Sequence, residues 1–219
     1  PNNGKPISDG ILKYDQRVPS IIAQGDTIAV AWYGAEPSFG RKNHREIKFS
    51  RLAAGGNGLF EPWINIGLIA GYKNQDYWQE HPVLAAKDDR TLYLVWEGQD
   101  ALNDKQQIKF SRTTDGGKTW DPPKNIVPIP GRTQSRPTLI LANDSIYVFG
   151  YSAQYNDTDD RNNQIVMTRS SDNGQTWEPW TLLSNGANDS RHVTAVIDSN
   201  NIFHIAYRQS DLKTSWIVY

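Results

Sequence analysis

Two copies of one eight-residue signature constrain the fold of this 219-residue chain more than any other feature. Thr113–Trp120 reads TTDGGKTW and Ser170–Trp177 reads SSDNGQTW, so both fit the pattern S/T-x-D-x-G-x-T-W. Each copy follows a short apolar run, and Asp115 and Asp172 stand 57 residues apart. A unit that recurs at this period indicates a solenoid, a propeller or an array.

The residue types of the signature have a structural explanation. An Asp side chain accepts hydrogen bonds from the backbone N–H groups of a tight turn, and Gly supplies the positive φ that such a turn needs. The Trp that follows buries its ring. Because Asp115 and Asp172 share the same local context, we predict that they form the same hairpin clasp twice, rather than a catalytic carboxylate pair.

The signature resembles the Asp-box of the sialidase (BNR-repeat) superfamily of β-propellers. The resemblance implies an all-β fold of four-stranded antiparallel blades, each with an Asp-box hairpin. Residues 52–60 stand where a further copy is expected but lack its Asp and Trp, and we interpret them as a degenerate copy.

Four segments share one pattern, in which a polar pair opens a strand that turns and returns as an apolar strand rich in β-branched and aromatic residues. They open at Arg17-Val18-Pro19, Glu80-His81-Pro82, Ser135-Arg136-Pro137 and Arg191-His192-Val193. We therefore predict one propeller domain over 1–219, built of repeats at 15–68, 79–129, 134–183 and 190–219. Two alternatives remain open for the missing outer strand of the last repeat: residues 5–14 supply it and close a four-bladed ring, or the chain is part of a larger propeller of the six-bladed kind.

Composition excludes several function classes. The net charge is −1, with 23 basic and 24 acidic residues, so no broad field favours nucleic acid or an anionic membrane surface. No apolar run approaches the roughly 20 residues of a membrane span. The absence of cysteine excludes disulfides and thiol catalysis. Eight Trp and ten Tyr suit both a β core and a sugar-stacking surface.

In a propeller, the starts of the inner strands and the ends of the second strands meet at one rim. On this basis the predicted substrate-binding residues are Arg17, Glu80, Arg136 and Arg191 on inner strands, Tyr33, Glu97 and Arg208 at the ends of second strands, and Trp78 in a flanking loop. Further loop residues expected there are Arg41, Lys42, Asn43, His44, Tyr72, Tyr77 and the acidic stretch 156–163. Arginine offers a bidentate fork to carboxylate or sulfate groups, which favours an acidic carbohydrate as partner, with no cofactor.

The resemblance extends to one catalytic position. Sialidases carry an Arg-Ile-Pro type motif whose Arg grips the substrate carboxylate, and Arg17-Val18-Pro19 matches it, with Arg191 as a candidate second clamp. The acid/base Asp that the family places before the third strand is replaced here by Asn43. The nucleophilic Tyr of the family and its Glu partner have no clear counterpart in this chain. Tyr207, which directly precedes Arg208, is the candidate to take the place of that Tyr. The resemblance thus implies a catalytic set that is incomplete in this chain.

His81 and His192 occupy equivalent positions and are candidates for a general base. A His next to a cationic clamp suits eliminative cleavage of a uronate polymer, and the alternative is a His that only forms hydrogen bonds within the channel. No third ligand at a telling spacing accompanies them, so we predict no metal site.

Four functions remain open at this point. The first is a glycan-recognising propeller, which as a sialidase-like protein is expected to be extracellular or periplasmic. The alternatives are a sialidase-type glycoside hydrolase, a polysaccharide lyase that uses His81 or His192 with Tyr207, and a non-catalytic scaffold that binds protein. Whether the chain is an enzyme is left undecided by its sequence.

Overall fold

The computed structural model describes residues 6–8, 11, 14–35, 45–52, 58–66, 77–100, 104–153, 162–211 and 213–219. Within these residues fifteen strands form four sheets, and each sheet follows chain order. The same residues contain no helix that is long and apolar enough to cross a membrane.

The first sheet consists of β1 (Gln16–Gln24), β2 (Thr27–Gly34), β3 (Glu46–Arg51) and β4 (Ile64–Asn65). The second consists of β5 (Gln79–Ala86), β6 (Leu92–Gly98), β7 (Gln107–Thr113) and β8 (Lys124–Asn125). The third consists of β9 (Gln134–Ala142), β10 (Ser145–Ser152), β11 (Gln164–Ser170) and β12 (Thr181–Leu182). The fourth has three strands among the described residues, β13 (Asp189–Ile197), β14 (Phe203–Ser210) and β15 (Ser215–Val218).

The chain divides into two compact units, residues 1–103 with 110–124 and residues 104–109 with 125–219. The core of the first unit is an apolar cluster drawn from its two sheets, which includes Ala31, Phe49, Leu94 and Trp96. In the second unit Phe149, Tyr151, Ile165 and Val193 form a core cluster. β6 is buried along its whole length, which explains why it is apolar on both faces rather than alternating.

Residues 5–14 are the segment that would form the outer strand of the last repeat and close a four-bladed ring. Of these the structure describes residues 6–8, 11 and 14, and none of them belongs to a strand. Closure of a four-bladed ring by this segment therefore stays a prediction.

The carboxylate of Asp115 holds a turn, as the sequence analysis expected. Its Oδ1 accepts hydrogen bonds from the backbone N–H groups of Lys118 (2.9 Å) and Thr119 (3.0 Å), and its Oδ2 accepts one from Thr119 Oγ1 at 2.6 Å. Burial acts to raise the pKa of Asp115, but the hydrogen bonds from Thr119, Thr113 and Lys118 outweigh it and lower the pKa to about 2. The ring of Trp120 packs edge-on against Phe49 at 5.1 Å.

Asp172 repeats this arrangement with Thr176 in the place of Thr119. The backbone N–H of Thr176 lies 2.9 Å from Asp172 Oδ1, and the Thr176 hydroxyl donates to Oδ2 at 2.5 Å. These bonds, led by that of the Thr176 hydroxyl, lower the pKa of Asp172. Both aspartates are thus fully used as acceptors within their own turns.

A second repeated anchor links each third strand to the chain that follows its turn. A Ser or Thr hydroxyl donates to the backbone carbonyl of an acidic residue at 2.6 Å, and the next residue, an Arg, forms an ion pair with that acidic side chain. The three sets are Ser50, Arg51 and Glu61; Ser111, Arg112 and Asp121; and Thr168, Arg169 and Glu178. The first sheet keeps this anchor although 52–60 lack the signature; residues 53–57 lie outside the described residues.

Each sheet carries a bulge near the start of its first strand. The register shifts between Arg17 and Ser20, Glu80 and Val83, Ser135 and Thr138, and Arg191 and Thr194. The second residue of each bulge has a positive φ: 47° at Val18, 54° at His81, 52° at Arg136 and 57° at His192. A positive φ is uncommon in residues other than Gly. Its recurrence at four equivalent positions indicates that the four sheets share one kind of bulge, which sets the direction of the side chains at these positions.

Candidate functional sites

The strand register pairs a residue at the start of each inner strand with a residue at the end of the second strand of the same sheet. The pairs are Arg17 with Tyr33, Glu80 with Glu97, Ser135 with Tyr151, and Arg191 with Arg208. Residues directly opposite each other on antiparallel strands project from the same face of a sheet, so each pair can act on one ligand. The identity of the pair differs from sheet to sheet, and this gives each unit its own chemistry.

In the first unit, Glu80, His81 and Glu97 form a cluster that we call the Glu–His–Glu cluster. His81 Nδ1 lies 2.7 Å from Glu97 Oε1 and 3.6 Å from Glu80 Oε2. The side chains are 9%, 11% and 4% exposed in chain order. Two carboxylates therefore converge on one imidazole nitrogen in a nearly closed environment.

Arg45 and two aromatic rings border this cluster. Arg45 Nη1 forms an ion pair with Glu80 Oε1, and the guanidinium carbon lies 5.7 Å from the Tyr33 ring centre and 5.2 Å from that of Trp78. The Tyr33 ring is 5.3 Å from that of His81. Trp78 is 47% exposed and presents an open ring next to a cation. Arg45 is not among the residues predicted from the sequence, since no motif or spacing distinguishes it from its neighbours.

Arg17 lies at the bulge of the first sheet and is half exposed. Its Nη2 is 2.6 Å from Asp15 Oδ2, and this hydrogen bond is the main reason that the pKa of Arg17 is raised. Arg17 also lines a cavity of about 280 Å3 together with the apolar side chains of Pro19, Val30 and Trp32. The guanidinium is therefore accessible to a ligand, with Asp15 as its present partner.

In the second unit, Asp189, Arg191 and Arg208 form a cluster that we call the arginine cluster. Arg191 Nε donates to Asp189 Oδ2 at 2.8 Å, and Arg208 Nη2 lies 3.7 Å from the same oxygen. The other oxygen of Asp189 accepts from the backbone N–H and side-chain amide of Asn163 at 2.9 and 3.0 Å. Burial acts to raise the pKa of Asp189, but the bonds from Asn163 and Arg191 lower it. Two guanidinium groups thus share one ionised carboxylate.

Two rings flank the arginine cluster. The Arg191 guanidinium lies 5.7 Å from the centre of the Tyr151 ring, and the His192 ring is 6.0 Å from the same ring. The Nε atom of Arg208 is buried and forms no hydrogen bond within the described residues. Arg136 occupies, in the third sheet, the bulge position that His192 occupies in the fourth, and it is half-buried.

Tyr207 does not share the face of Arg208. Successive residues of a strand point to opposite faces, and Tyr207 packs among the apolar side chains against Phe149, Ile165 and Val193. The structure therefore brings together Arg191, Arg208 and His192 from the predicted site, and places Tyr207 against the hydrophobic cluster. Several predicted loop residues, namely Arg41, Lys42, Asn43, His44, Tyr72 and 156–161, lie outside the described residues.

Similar folds occur among solved structures of carbohydrate-active enzymes. A Hadza microbial sialidase, Hz136, is 15% identical with a TM-score of 0.63 over 92% of this chain. A Penicillium chrysogenum α-L-arabinanase complexed with arabinobiose is 14% identical with a TM-score of 0.64 over 96% of this chain. A GH93 α-L-arabinofuranosidase of Fusarium graminearum is 14% identical with a TM-score of 0.63 over 91%.

These similarities establish the fold class, which is an all-β propeller of antiparallel blades. The chain spans 43% of the length of the sialidase, 62% of the arabinanase and 59% of the arabinofuranosidase. No family model matches the sequence, and no curated protein matches it. The activity therefore has to be argued from the side chains of this chain.

Proposed function

We propose that this protein binds carbohydrate and that its ligand is an acidic glycan held by arginine side chains. One observation carries the proposal: Arg191 and Arg208 face each other across β13 and β14 and, among the described residues, share the one carboxylate of Asp189. Two guanidiniums on one carboxylate leave an excess of positive charge, which a carboxylate or sulfate group of a sugar would compensate.

Aromatic side chains near cations support a sugar as the ligand. Tyr151 lies beside Arg191, and the exposed Trp78 ring lies beside Arg45. The exposed Trp78 ring offers an apolar face to a sugar while the neighbouring guanidinium binds polar groups, whereas Tyr151 is buried and packs against Arg191. The solved structures of similar fold carry the names of a sialidase, an arabinanase and an arabinofuranosidase, which favours the same ligand class.

A resemblance to sialidases, with Asp115 and Asp172 in Asp-box turns, belongs to this proposal. We place binding before hydrolysis because Asn43 stands where the family has its acid/base Asp. Hydrolysis is the second candidate. It is favoured by the closeness of the Glu80 and Glu97 carboxyl groups, since glycosidases use two such groups at the scissile bond. Both carboxylates are already engaged by basic partners, Arg45 and His81, which favours a holding role.

A library of sialylated, uronate-containing, sulfated and neutral glycans tests the proposal. The purified chain is incubated with the library, and both bound and cleaved species are identified by mass spectrometry. We expect intact acidic glycan to be recovered with the wild type and to be lost with Arg191→Ala and Arg208→Ala. Lys213→Ala, which removes one exposed positive charge from the same unit, is the matched control.

Each alternative outcome has a definite meaning. Cleaved product would make the protein a glycoside hydrolase or, if the product is unsaturated, a lyase. Binding of neutral and acidic glycans with equal affinity would contradict the role of the arginine cluster. No bound and no cleaved glycan would contradict the carbohydrate proposal and favour a protein-binding scaffold.

A further inference from the structure

We propose that Glu80, His81 and Glu97 bind a divalent transition-metal ion, for which Zn²⁺ and Mn²⁺ suit the donor atoms. The three residues offer one imidazole nitrogen and two carboxylate oxygens, and these atoms all lie within 4.8 Å of one another. Imidazole nitrogen and carboxylate oxygen are the ligands of many zinc and manganese sites. Three protein ligands also leave at least one coordination position for water.

The distances within the Glu–His–Glu cluster are close to those of a metal site. With metal–ligand bonds of about 2.0–2.2 Å in a tetrahedral site, neighbouring donor atoms lie about 3.3–3.5 Å apart. His81 Nδ1 and Glu80 Oε2 are already 3.6 Å apart, whereas His81 Nδ1 and Glu97 Oε1 are hydrogen-bonded at 2.7 Å. A movement of the Glu97 oxygen by about 0.7 Å away from His81 would bring this second distance into the same range. The ion would then take the place of the hydrogen between His81 Nδ1 and Glu97, and the neutral imidazole would carry its ring proton on Nε2.

Arg45 supports this assignment because its ion pair with Glu80 is made at Oε1. The ion pair uses Oε1, and Oε2 is the oxygen that faces His81. A partner on the outer oxygen fixes the orientation of a ligating carboxylate in many metal sites. Within the Glu–His–Glu cluster and Arg45, two carboxylates face one guanidinium, and a divalent cation would compensate the negative charge beside the imidazole.

His192 is a natural comparison for His81, because it lies at the same backbone position but without the two glutamates beside it. It occupies the equivalent bulge of the fourth sheet, with a φ of 57° compared with 54° for His81. Its neighbouring register pair is Arg191 and Arg208, in place of Glu80 and Glu97. The fold thus supplies a matched control in which the histidine is kept and the anionic ligands are replaced by cations.

The full chain is first freed of metal with a chelator and then titrated with Zn²⁺ and with Mn²⁺ in a calorimeter, with Mg²⁺ for comparison. We expect one Zn²⁺ or Mn²⁺ per chain and at most weak binding of Mg²⁺, which prefers an all-oxygen octahedral site. Glu97→Gln and His81→Asn should each weaken binding by tenfold or more, and His192→Asn should leave it unchanged. Asn is chosen because it tolerates a positive φ.

A measurement on the wild type keeps the test decisive if these variants fail to fold. Nitrogen-15 NMR of the imidazole groups during the zinc titration should show a stoichiometric change at Nδ1 of His81. The proposal is overturned by the absence of binding, by wild-type affinity in both Glu97→Gln and His81→Asn, or by changes confined to His44, His192 or His204. No glycan is present in this experiment, so its result is independent of the carbohydrate proposal.

Discussion

Arg191 and Arg208 are register partners on β13 and β14, and both direct a guanidinium nitrogen to Oδ2 of Asp189, at 2.8 and 3.7 Å. Like charges directly opposite each other in a sheet repel, so the fold accepts an electrostatic cost at this position. Asp189 offsets part of that cost, and an anionic ligand would offset the rest. An unfavourable pairing that a ligand relieves is typical of a binding site.

The first prediction separates charge from geometry at Arg208. Arg208→Lys keeps the positive charge but loses the planar fork, so we expect it to weaken acidic-glycan binding by roughly tenfold, and Arg208→Ala to weaken it more. Affinities are measured by calorimetry at two salt concentrations, because an exposed ionic contact weakens as screening increases. Equal affinity of the Lys variant and the wild type would mean that Arg208 acts as a point charge only.

The second prediction concerns the pH dependence of stability at Asp115. Its pKa in the folded state is about 2, below the value of about 3.9 for an unfolded chain. A carboxyl group whose pKa is lowered by folding contributes stability above the unfolded pKa and loses it as pH falls through the folded pKa. The free energy of unfolding should therefore decrease between about pH 5 and pH 2, and less steeply in Asp115→Asn.

Urea denaturation from pH 2 to pH 7 measures this effect. At pH 7 we expect Asp115→Asn to cost about 1–2 kcal/mol, because the turn loses a charged acceptor of several hydrogen bonds. Asp26→Asn, at an exposed turn, is the control and should change the free energy of unfolding by less than about 0.5 kcal/mol. Parallel pH profiles for the wild type and Asp115→Asn would contradict the assignment.

The third prediction concerns a buried contact between Gln79 and Trp96. Trp96 Nε1 donates to Gln79 Oε1 at 2.7 Å, and a methyl group at Gly98 would overlap that oxygen. Gly98→Ala should therefore lower the free energy of unfolding by about 2–3 kcal/mol through overpacking and loss of the hydrogen bond. The same arrangement recurs with Gln16, Trp32 and Gly34.

Gly25→Ala is the matched control for Gly98→Ala. Gly25 has a φ of +55°, but no atom lies near the place of an added methyl group, so only the backbone conformation is penalised. We expect a cost of about 1 kcal/mol for this variant. A cost for Gly98→Ala no larger than that of Gly25→Ala would show that Gln79 moves aside freely.

The fourth prediction is that relief of backbone strain at Val18 stabilises the protein. Val18 has a φ of 47° and a side chain that is 45% exposed, so a β-branched residue occupies a left-handed conformation with little packing in return. Val18→Gly should raise the free energy of unfolding by about 1 kcal/mol. Val196→Gly, at another exposed Val but in an ordinary strand position, should lower it, and a thermal melt of both variants distinguishes the two effects.

Much of the fold could be predicted because its signals are local. The turn signatures at 113–120 and 170–177 contain their own hydrogen-bond donors and acceptors within a few residues, so their clasp follows from the sequence alone. The repeat alignment also predicted Arg17 and Arg191 at the starts of inner strands and Tyr33 and Arg208 at the ends of second strands, and the strand register sets Arg17 opposite Tyr33 and Arg191 opposite Arg208. A repeated pattern predicts register because each repeat has to bury the same faces.

The metal-ligand set was not predictable in this way. Glu97 is 16 residues from His81, a separation that matches no local ligand spacing, and no third ligand was expected for that reason. The register of β5 and β6 places Glu97 opposite Glu80, and the bulge with its positive φ places His81 within reach of Glu97. Arg45, which directly precedes β3 and is 35 residues from Glu80 in the chain, is brought to it from the first sheet.

The sequence by itself determined the repeat, the turn clasps and the strand pairs, since each depends on residues that are near one another in the chain or repeat at a fixed period. Only the tertiary structure decided which of the paired side chains meet. It set the Glu–His–Glu cluster beside Arg45, directed two arginines to one aspartate, and placed Tyr207 in the hydrophobic cluster away from Arg208. These outcomes depend on bulges and on the packing of sheets within each unit, where a shift of one residue changes the face that a side chain occupies.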